Sequence, residues 1–279
     1  MKQTTDKVSF LISLYKNEDP EYFRLAMESV LSQSVPAAEV VLVIDGPITL
    51  SLERIVSKLE PHICVVRRDQ NGGLAEALNT GLRHVKTRWV ARMDTDDICH
   101  LHRIKRQVQV ANSVADDVAV IGTWAVNIDE SGNTKSIRKV PCDPSVVRSQ
   151  AYANPVIHPT AMIRTSVLRR LKGYRTWTKR CEDLELWFRV LHDGYTIVNL
   201  PEPLLFYREY NNHHLRNPLR VGISRAIVSI RGAIRLKLQA SSLIMPLFFV
   251  VRSILPAFVV TRFLDIHPVR KVRKRIGRG

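Results

Sequence analysis

The stretch RWVARMDTDD, residues 88 to 97, runs from an apolar segment straight into three carboxylates within four positions, Asp94, Asp96 and Asp97. The apolar part reads as a short buried strand. Acids gathered at its end repel one another and lose hydration when enclosed. A bound cation removes both costs. Hard divalent ions such as Mg2+ or Mn2+ take carboxylate oxygens and keep positions open for substrate phosphates. In extended chain Asp94 and Asp96 project to one side and Asp97 to the other, so the first two can face one metal together. The plainer alternative is a solvated acidic turn with Asp97 as a helix cap, and a D-x-D by itself does not choose between them.

The residues upstream supply the context. VSFLISL (8–14), EVVLVID (39–45) and HICVVRR (62–68) read as strands, and 88–93 as a fourth. Between them, 20–34, 50–60 and 74–85 carry apolar residues at helical spacing. Strands that are apolar throughout, alternating with amphipathic helices, predict a parallel sheet covered on both faces. Such sheets bind ligands beyond the carboxyl ends of their strands. Here those ends are Tyr15-Lys16-Asn17-Glu18, Asp45-Gly46-Pro47, Asp69 to Gly73 and the Asp94 cluster. Four polar or acidic ends, two with glycines that admit close backbone approach, point to one polar site.

Downstream the pattern predicts a helix within 99–114, strands at 118–122 and 156–164, a turn at 127–134 and a short helix closing on Gly173. A strong helix spans 181–194, opening with Glu182 and Asp183, acids that suit a helix N-terminus. Arg67 and Arg68 read as a solvated strand end. Tyr174 and Trp177 are candidates either for stacking on a sugar or for the core.

Several segments then share an order and spacing with one known family. SLYKNE (13–18), VLVIDG (41–46), NGGLAEALNTGL (71–82), ARMDTDD (91–97) and CEDLELWFRV (181–190) resemble a family 2 glycosyltransferase over roughly residues 7 to 210. NPVIHPTAMIRTSVL (154–168) resembles its bacterial polysaccharide-building members. The resemblance implies an α/β, GT-A type (nucleotide-diphospho-sugar transferase) fold: one mostly parallel sheet flanked by helices. It implies Tyr15 against a nucleotide base, Asp45 accepting from the base ring N–H, Glu18 close to the nucleotide and Gly73 leaving room for the ribose. Asp96 is then a ligand of Mn2+ or Mg2+, Asp94 holds the ribose or assists the metal, and Asp183 is the catalytic base. His213 is a further candidate near the metal, interchangeable with His214, and His158 and Glu182 are acceptor-side candidates.

The chemistry is consistent with these roles. A diphosphate leaving group needs its developing charge neutralised, which a cation does. An attacking hydroxyl must lose its proton, which a placed carboxylate accepts. One base opposite the leaving group implies a single displacement with inversion. Two other classes compete: a D-x-D phosphatase or phosphotransferase with Asp94 as nucleophile, and a non-catalytic membrane or nucleic-acid adaptor. The former usually carries its D-x-D on the first strand, whereas three strand–helix units precede it here. The latter leaves Asp45, Asp94, Asp96 and Asp183 without purpose.

The chain of 279 residues has a net charge of +16, concentrated at one end. From Arg216 onward stand 14 Lys or Arg against one acid, Asp265. The expected division is therefore a catalytic domain at 1–215 and a basic, amphipathic, membrane-associating region at 216–279. Ile223, Ile227, Ile230 and Ile234 form a helical stripe, and 243–264 is apolar but interrupted by Pro246, Arg252 and Pro256. No run approaches the roughly 20 apolar residues of a spanning helix. Apolar faces beside clustered cations suit an anionic membrane surface rather than nucleic acid. Four scattered cysteines without a C-x-x-C spacing fit a reducing compartment. With no secretory signal in MKQTTDK, the expected location is the cytoplasm, peripheral on the inner face of the membrane. The expected partners are a nucleotide-sugar donor and a glycan or lipid-linked oligosaccharide acceptor.

Overall fold

The computed structural model describes residues 7–178, 180–210 and 219–254. The chain opens with β1 (Val8–Leu14), α1 (Pro20–Leu31), β2 (Glu39–Asp45), α2 (Leu50–Leu59), β3 (Cys64–Arg68), α3 (Leu74–Leu82) and β4 (Trp89–Met93). β1 pairs in parallel with β2 and β4, and β2 with β3, which is the expected parallel half-sheet. Its side chains alternate between two cores. Leu11, Val41 and Val43 enter one, while Phe10, Ile12, Leu42 and Ile44 enter the other. Burial on both faces is why these strands lack a polar alternation in the sequence. Local chemistry fixes the helix starts: Asp19 accepts from the N–H groups of Glu21 and Tyr22, with Pro20 in the first turn of α1.

The second half is mixed. After β5 (Ile98–Cys99) and α4 (Arg103–Ala111) come β6 (Val118–Ile128), β7 (Thr134–Arg138), α5 (Pro144–Ser149), β8 (Met162–Arg164) and α6 (Thr165–Arg170). Then follow α7 (Glu182–His192), β9 (Thr196–Arg208), α8 (Leu219–Arg235), α9 (Ser241–Ile244) and α10 (Leu247–Ile254). The sheet order is β3-β2-β1-β4-β8-β6-β9-β5, with β7 on β6. β8 runs antiparallel to both β4 and β6, and β5 antiparallel to β9. The expected strand at 156–164 shortens to three residues because His158–Thr160 forms a 3-10 turn around Pro159. The expected turn at 127–134 is the tip of the β6–β7 hairpin, where Asp129 accepts from the N–H groups of Ser131 and Asn133. β9 was absent from the sequence reading, and the reason is visible in TIVNLPEPLLFYR: Pro201 and Pro203 fall where its register against β6 shifts.

Candidate active site

The ends of the parallel strands and the start of α7 enclose a cleft of roughly 770 Å³, within the range of small-molecule sites. Tyr15, Glu18, Asp45, Gly73, Asp94, Asp96 and Glu182, all singled out from the sequence, line it. One oxygen from each of Asp94, Asp96 and Asp97 lies within 4.8 Å of the others. Asp97 therefore joins the cluster instead of pointing away, and it caps no helix. It is buried and accepts from the backbone N–H of Arg208 at 2.9 Å, which ties β4's end to β9.

These acids strain one another. Burial and the Asp94 charge push the Asp96 carboxyl up to about 6, against a hydrogen bond from the Tyr210 hydroxyl at 3.0 Å. Burial, then the Asp96 and Asp94 charges, raises Asp97 well above the carboxylate range. Across the cleft floor, burial and Asp96 bring Glu18 up to about 7. The buried Arg92 pairs with Asp94, while the Arg208 side chain reaches the Asp96 backbone carbonyl at 2.9 Å. Burial opposes the charge of Arg92, but Asp94 outweighs that and holds it protonated. A hard, all-oxygen donor set in which burial, and then mutual repulsion, disfavours the charges of Asp96 and Asp97 fits a divalent ion.

The donor-side turn is built around Asp45. Its two oxygens accept from the N–H groups of Gly72 at 3.0 Å and Gly73 at 2.8 Å, and Arg68 lies 2.9 Å away. Arg68 is thus no solvated strand end: it is mostly buried between Asp45 and Glu76, while its neighbour Arg67 is half-exposed on Glu53 and Glu60. Gly46, at φ +84°, must be glycine, since a Cβ there would meet the Asn71 nitrogen at 2.6 Å. Gly73, at φ +88°, starts α3 with open space where a side chain would stand.

On the opposite wall the two acids of α7 differ. Glu182 lines the cleft, and burial followed by the Asp183 charge raises it to about 7. Asp183 is half-buried beside it and is not part of the lining. Its Oδ2 accepts from Asn154 Nδ2 at 2.7 Å and its Oδ1 from the Leu184 N–H at 2.7 Å. Asn154 holds this position from a left-handed backbone, φ 59° and ψ 75°. His158 does not reach the cleft. It is buried behind the wall, 3.0 Å from the Tyr174 hydroxyl and edge-on to Trp187, and burial keeps it neutral by lowering its pKa well below the imidazole value. Tyr174 is core, and Trp177 is half-exposed away from the cleft. His213 and His214 lie outside the described residues.

Four contributors escaped the sequence reading. Arg92 and Arg208 sit inside strands, where a charge normally argues for an edge, and Arg180 and Arg220 line the cleft from a loop and from α8.

The family model described as glycosyl transferase family 2 matches residues 9–172. The chain belongs to glycosyl transferase family 2. Over 97% of its length and 96% of the relative's, it is 32% identical to EpsE of Bacillus subtilis, named as a glycosyltransferase. The amylovoran biosynthesis glycosyltransferase AmsE of Erwinia amylovora is 34% identical over 72% of this chain and 75% of that one. The UDP-Gal:alpha-D-GlcNAc-diphosphoundecaprenol beta-1,3-galactosyltransferase of Escherichia coli is 26% identical over 83% and 84%. Among solved structures, the mannosyltransferase PcManGT of Pyrobaculum calidifontis, in complex with GDP-Man and Mn2+, shares the fold of this family 2 member. The TM-score is 0.65 over 90% of this chain and 74% of that one, at 17% identity.

Proposed function

We propose that this family 2 glycosyltransferase is a metal-dependent, inverting enzyme of cell-surface polysaccharide biosynthesis. It would move a sugar from a nucleotide-diphosphate donor to a hydroxyl of a lipid-linked glycan. The observation that carries the reading is the meeting of Asp94, Asp96 and Asp97 beside Glu18 in a cleft whose far wall begins with Glu182. The relatives named for amylovoran biosynthesis and for a diphosphoundecaprenol acceptor support the polysaccharide and lipid-linked parts.

In this reading Asp96 and Asp94 hold Mn2+ or Mg2+, with Asp97 behind them. The ion, when bound, neutralises charge on the departing diphosphate. Arg180 and Arg220 add positive charge to the same cleft. Tyr15 faces the base and Gly73 gives the ribose room. Asp45 Oδ1 is engaged by the Gly72 N–H and by Arg68, whereas Oδ2, accepting the Gly73 N–H, keeps a further lone pair for the base ring N–H. Asp183 takes the acceptor's proton: Asn154 and the Leu184 N–H hold it in one orientation. Glu182, held near neutrality, positions the acceptor hydroxyl.

One observation favours a second assignment. Glu182 is the acid exposed to the cleft, and a carboxyl near 7 suits a general base at neutral pH. Transfer from a panel of UDP-, GDP- and dTDP-sugars with Mn2+, measured for the wild type, Asp96→Asn, Asp183→Asn and Glu182→Gln, tests both. Equal turnover in all four proteins would reject the enzymatic site. Loss in Glu182→Gln with Asp183→Asn intact would move the base to Glu182.

A further inference from the structure

α8 sits on the protein with its faces reversed. A surface helix ordinarily buries its bulky apolar stripe. Here the inward face is made mostly of small residues: Gly222, Ala226, Ser229, Gly232 and Ala233 are buried together with Val228. The approach to α7 is so close that a Cβ on Gly232 would come within 2.2 Å of the Phe188 ring. The bulky stripe faces outward instead: Leu219, Ile223, Ile227 and Ile234 are 43%, 41%, 40% and 61% exposed. At the rise of an α-helix this stripe is about 22 Å long. α9, α10 and the turn between them add further exposed apolar side chains, Ile244, Met245, Leu247, Phe248 and Val251.

Cations frame this surface. Arg231, Arg235 and Lys237 are exposed on the same helix and the turn after it, and no acid occurs between Arg216 and Leu264. Arg231 lies over the half-exposed Trp177 ring at 5.9 Å, an aromatic with an apolar body and a polar tip. The stripe also has a defined relation to the chemistry. Arg220 and Val221, in the same first turn as Leu219, line the cleft.

We propose that the outer face of α8–α10 docks on an anionic phospholipid bilayer and brings the mouth of the cleft to the membrane surface. A lipid-carried acceptor would then present its hydroxyl at the cleft without leaving the bilayer. The acceptor part rests on the glycosyl-transfer reading; the docking part does not. A second copy of the chain is a poor occupant, because two such faces would oppose arginines to arginines. Nucleic acid would engage the cations but leave the isoleucine stripe in water. Among the described residues no helix is long and apolar enough to cross a membrane, so the contact is made along a face.

The test is co-sedimentation of the full chain with phosphatidylcholine vesicles, with and without phosphatidylglycerol. The wild type is compared with the double variant Ile227→Ser/Ile234→Ser, and with Ile137→Ser as an equally exposed control on β7. The wild type and the control bind phosphatidylglycerol vesicles; the double variant binds about tenfold more weakly or worse, as expected for two isoleucines no longer buried in lipid. Nucleotide-sugar hydrolysis without vesicles stays unchanged in the double variant, and unchanged melting shows that it folds. Wild-type partitioning by the double variant would overturn the proposal. So would absence of vesicle binding, a dimer that the double variant dissociates, or preferential binding to DNA that ignores both substitutions. Absent hydrolysis with intact, stripe-dependent vesicle binding would sink the catalytic reading and leave the docking surface standing.

Discussion

The two walls of the cleft both carry adjacent acids, yet the protein treats them differently. At the Asp94 wall three carboxylates crowd together, with the Arg92 side chain paired to Asp94, and burial with mutual repulsion raises Asp96 and Asp97. At the α7 wall Asp183 is clasped by Asn154 and by a helix N–H, donors that fix its direction. A cluster left short of positive charge is suited to capture a cation. A single carboxylate held by neutral donors is suited to face a proton. In the proposed reading the difference between the walls, more than the number of acids, separates the metal end from the base end.

That contrast can be broken at either end. Asp96→Asn is expected to lower transfer by about a thousandfold and to abolish Mn2+ binding in calorimetry. Asp183→Asn is expected to cost about a hundredfold to ten-thousandfold in kcat while Mn2+ and donor binding persist. If both variants lose the metal, the walls are not separate devices. Asn154→Gly keeps the left-handed backbone accessible but removes the amide, so kcat should fall about tenfold to a hundredfold through misorientation of Asp183. Rescue of kcat by nothing other than the amide would mark Asn154 as a positioning residue.

The smallest expected effect is on stability. Glu18 and Glu182 are raised to about 7 in the fold, above an ordinary glutamate in the unfolded chain. Between those values the folded state binds more protons than the unfolded one, so stability rises as pH falls. Melting temperature without metal should therefore increase from pH 8 to pH 6.5. Mn2+ added at pH 8 should recover part of that gain. Below the ordinary imidazole pKa the buried neutral His158 works in the opposite sense, because only the unfolded chain accepts its proton there. A Mn2+ response that is the same at both pH values would argue that Glu18 is not electrically coupled to the metal end.

The parts of the molecule legible in the sequence are those governed by local pattern. β-branched runs gave β1 to β4, periodicity gave α1 to α3, α7 and α8, and the strand-end rule gathered Tyr15, Glu18, Asp45, Asp94 and Asp96 in one cleft. What stayed hidden depends on chain segments that meet only after folding. Arg208 lies 111 residues from the Asp97 side chain that accepts its N–H, and Asn154 lies 29 from Asp183. β9 was concealed by its prolines. α8 shows a different limit: its period of isoleucines was readable, but the side on which they lie was not. That side is set by small residues on the buried face, above all Gly232, which lies closer to Phe188 of α7 than isoleucine could.

The clasp of Asp45 on Gly72 and Gly73 joins a loop to the end of β2. Because both carboxylate oxygens and the Arg68 pair meet there, this one side chain fastens the floor on which a donor would rest. Loss of its charge would therefore loosen the fastening itself, and a fall in donor affinity would be accompanied by faster amide exchange at Gly72 and Gly73. A weakened Michaelis constant in such a variant would report a lost anchor as much as a lost contact.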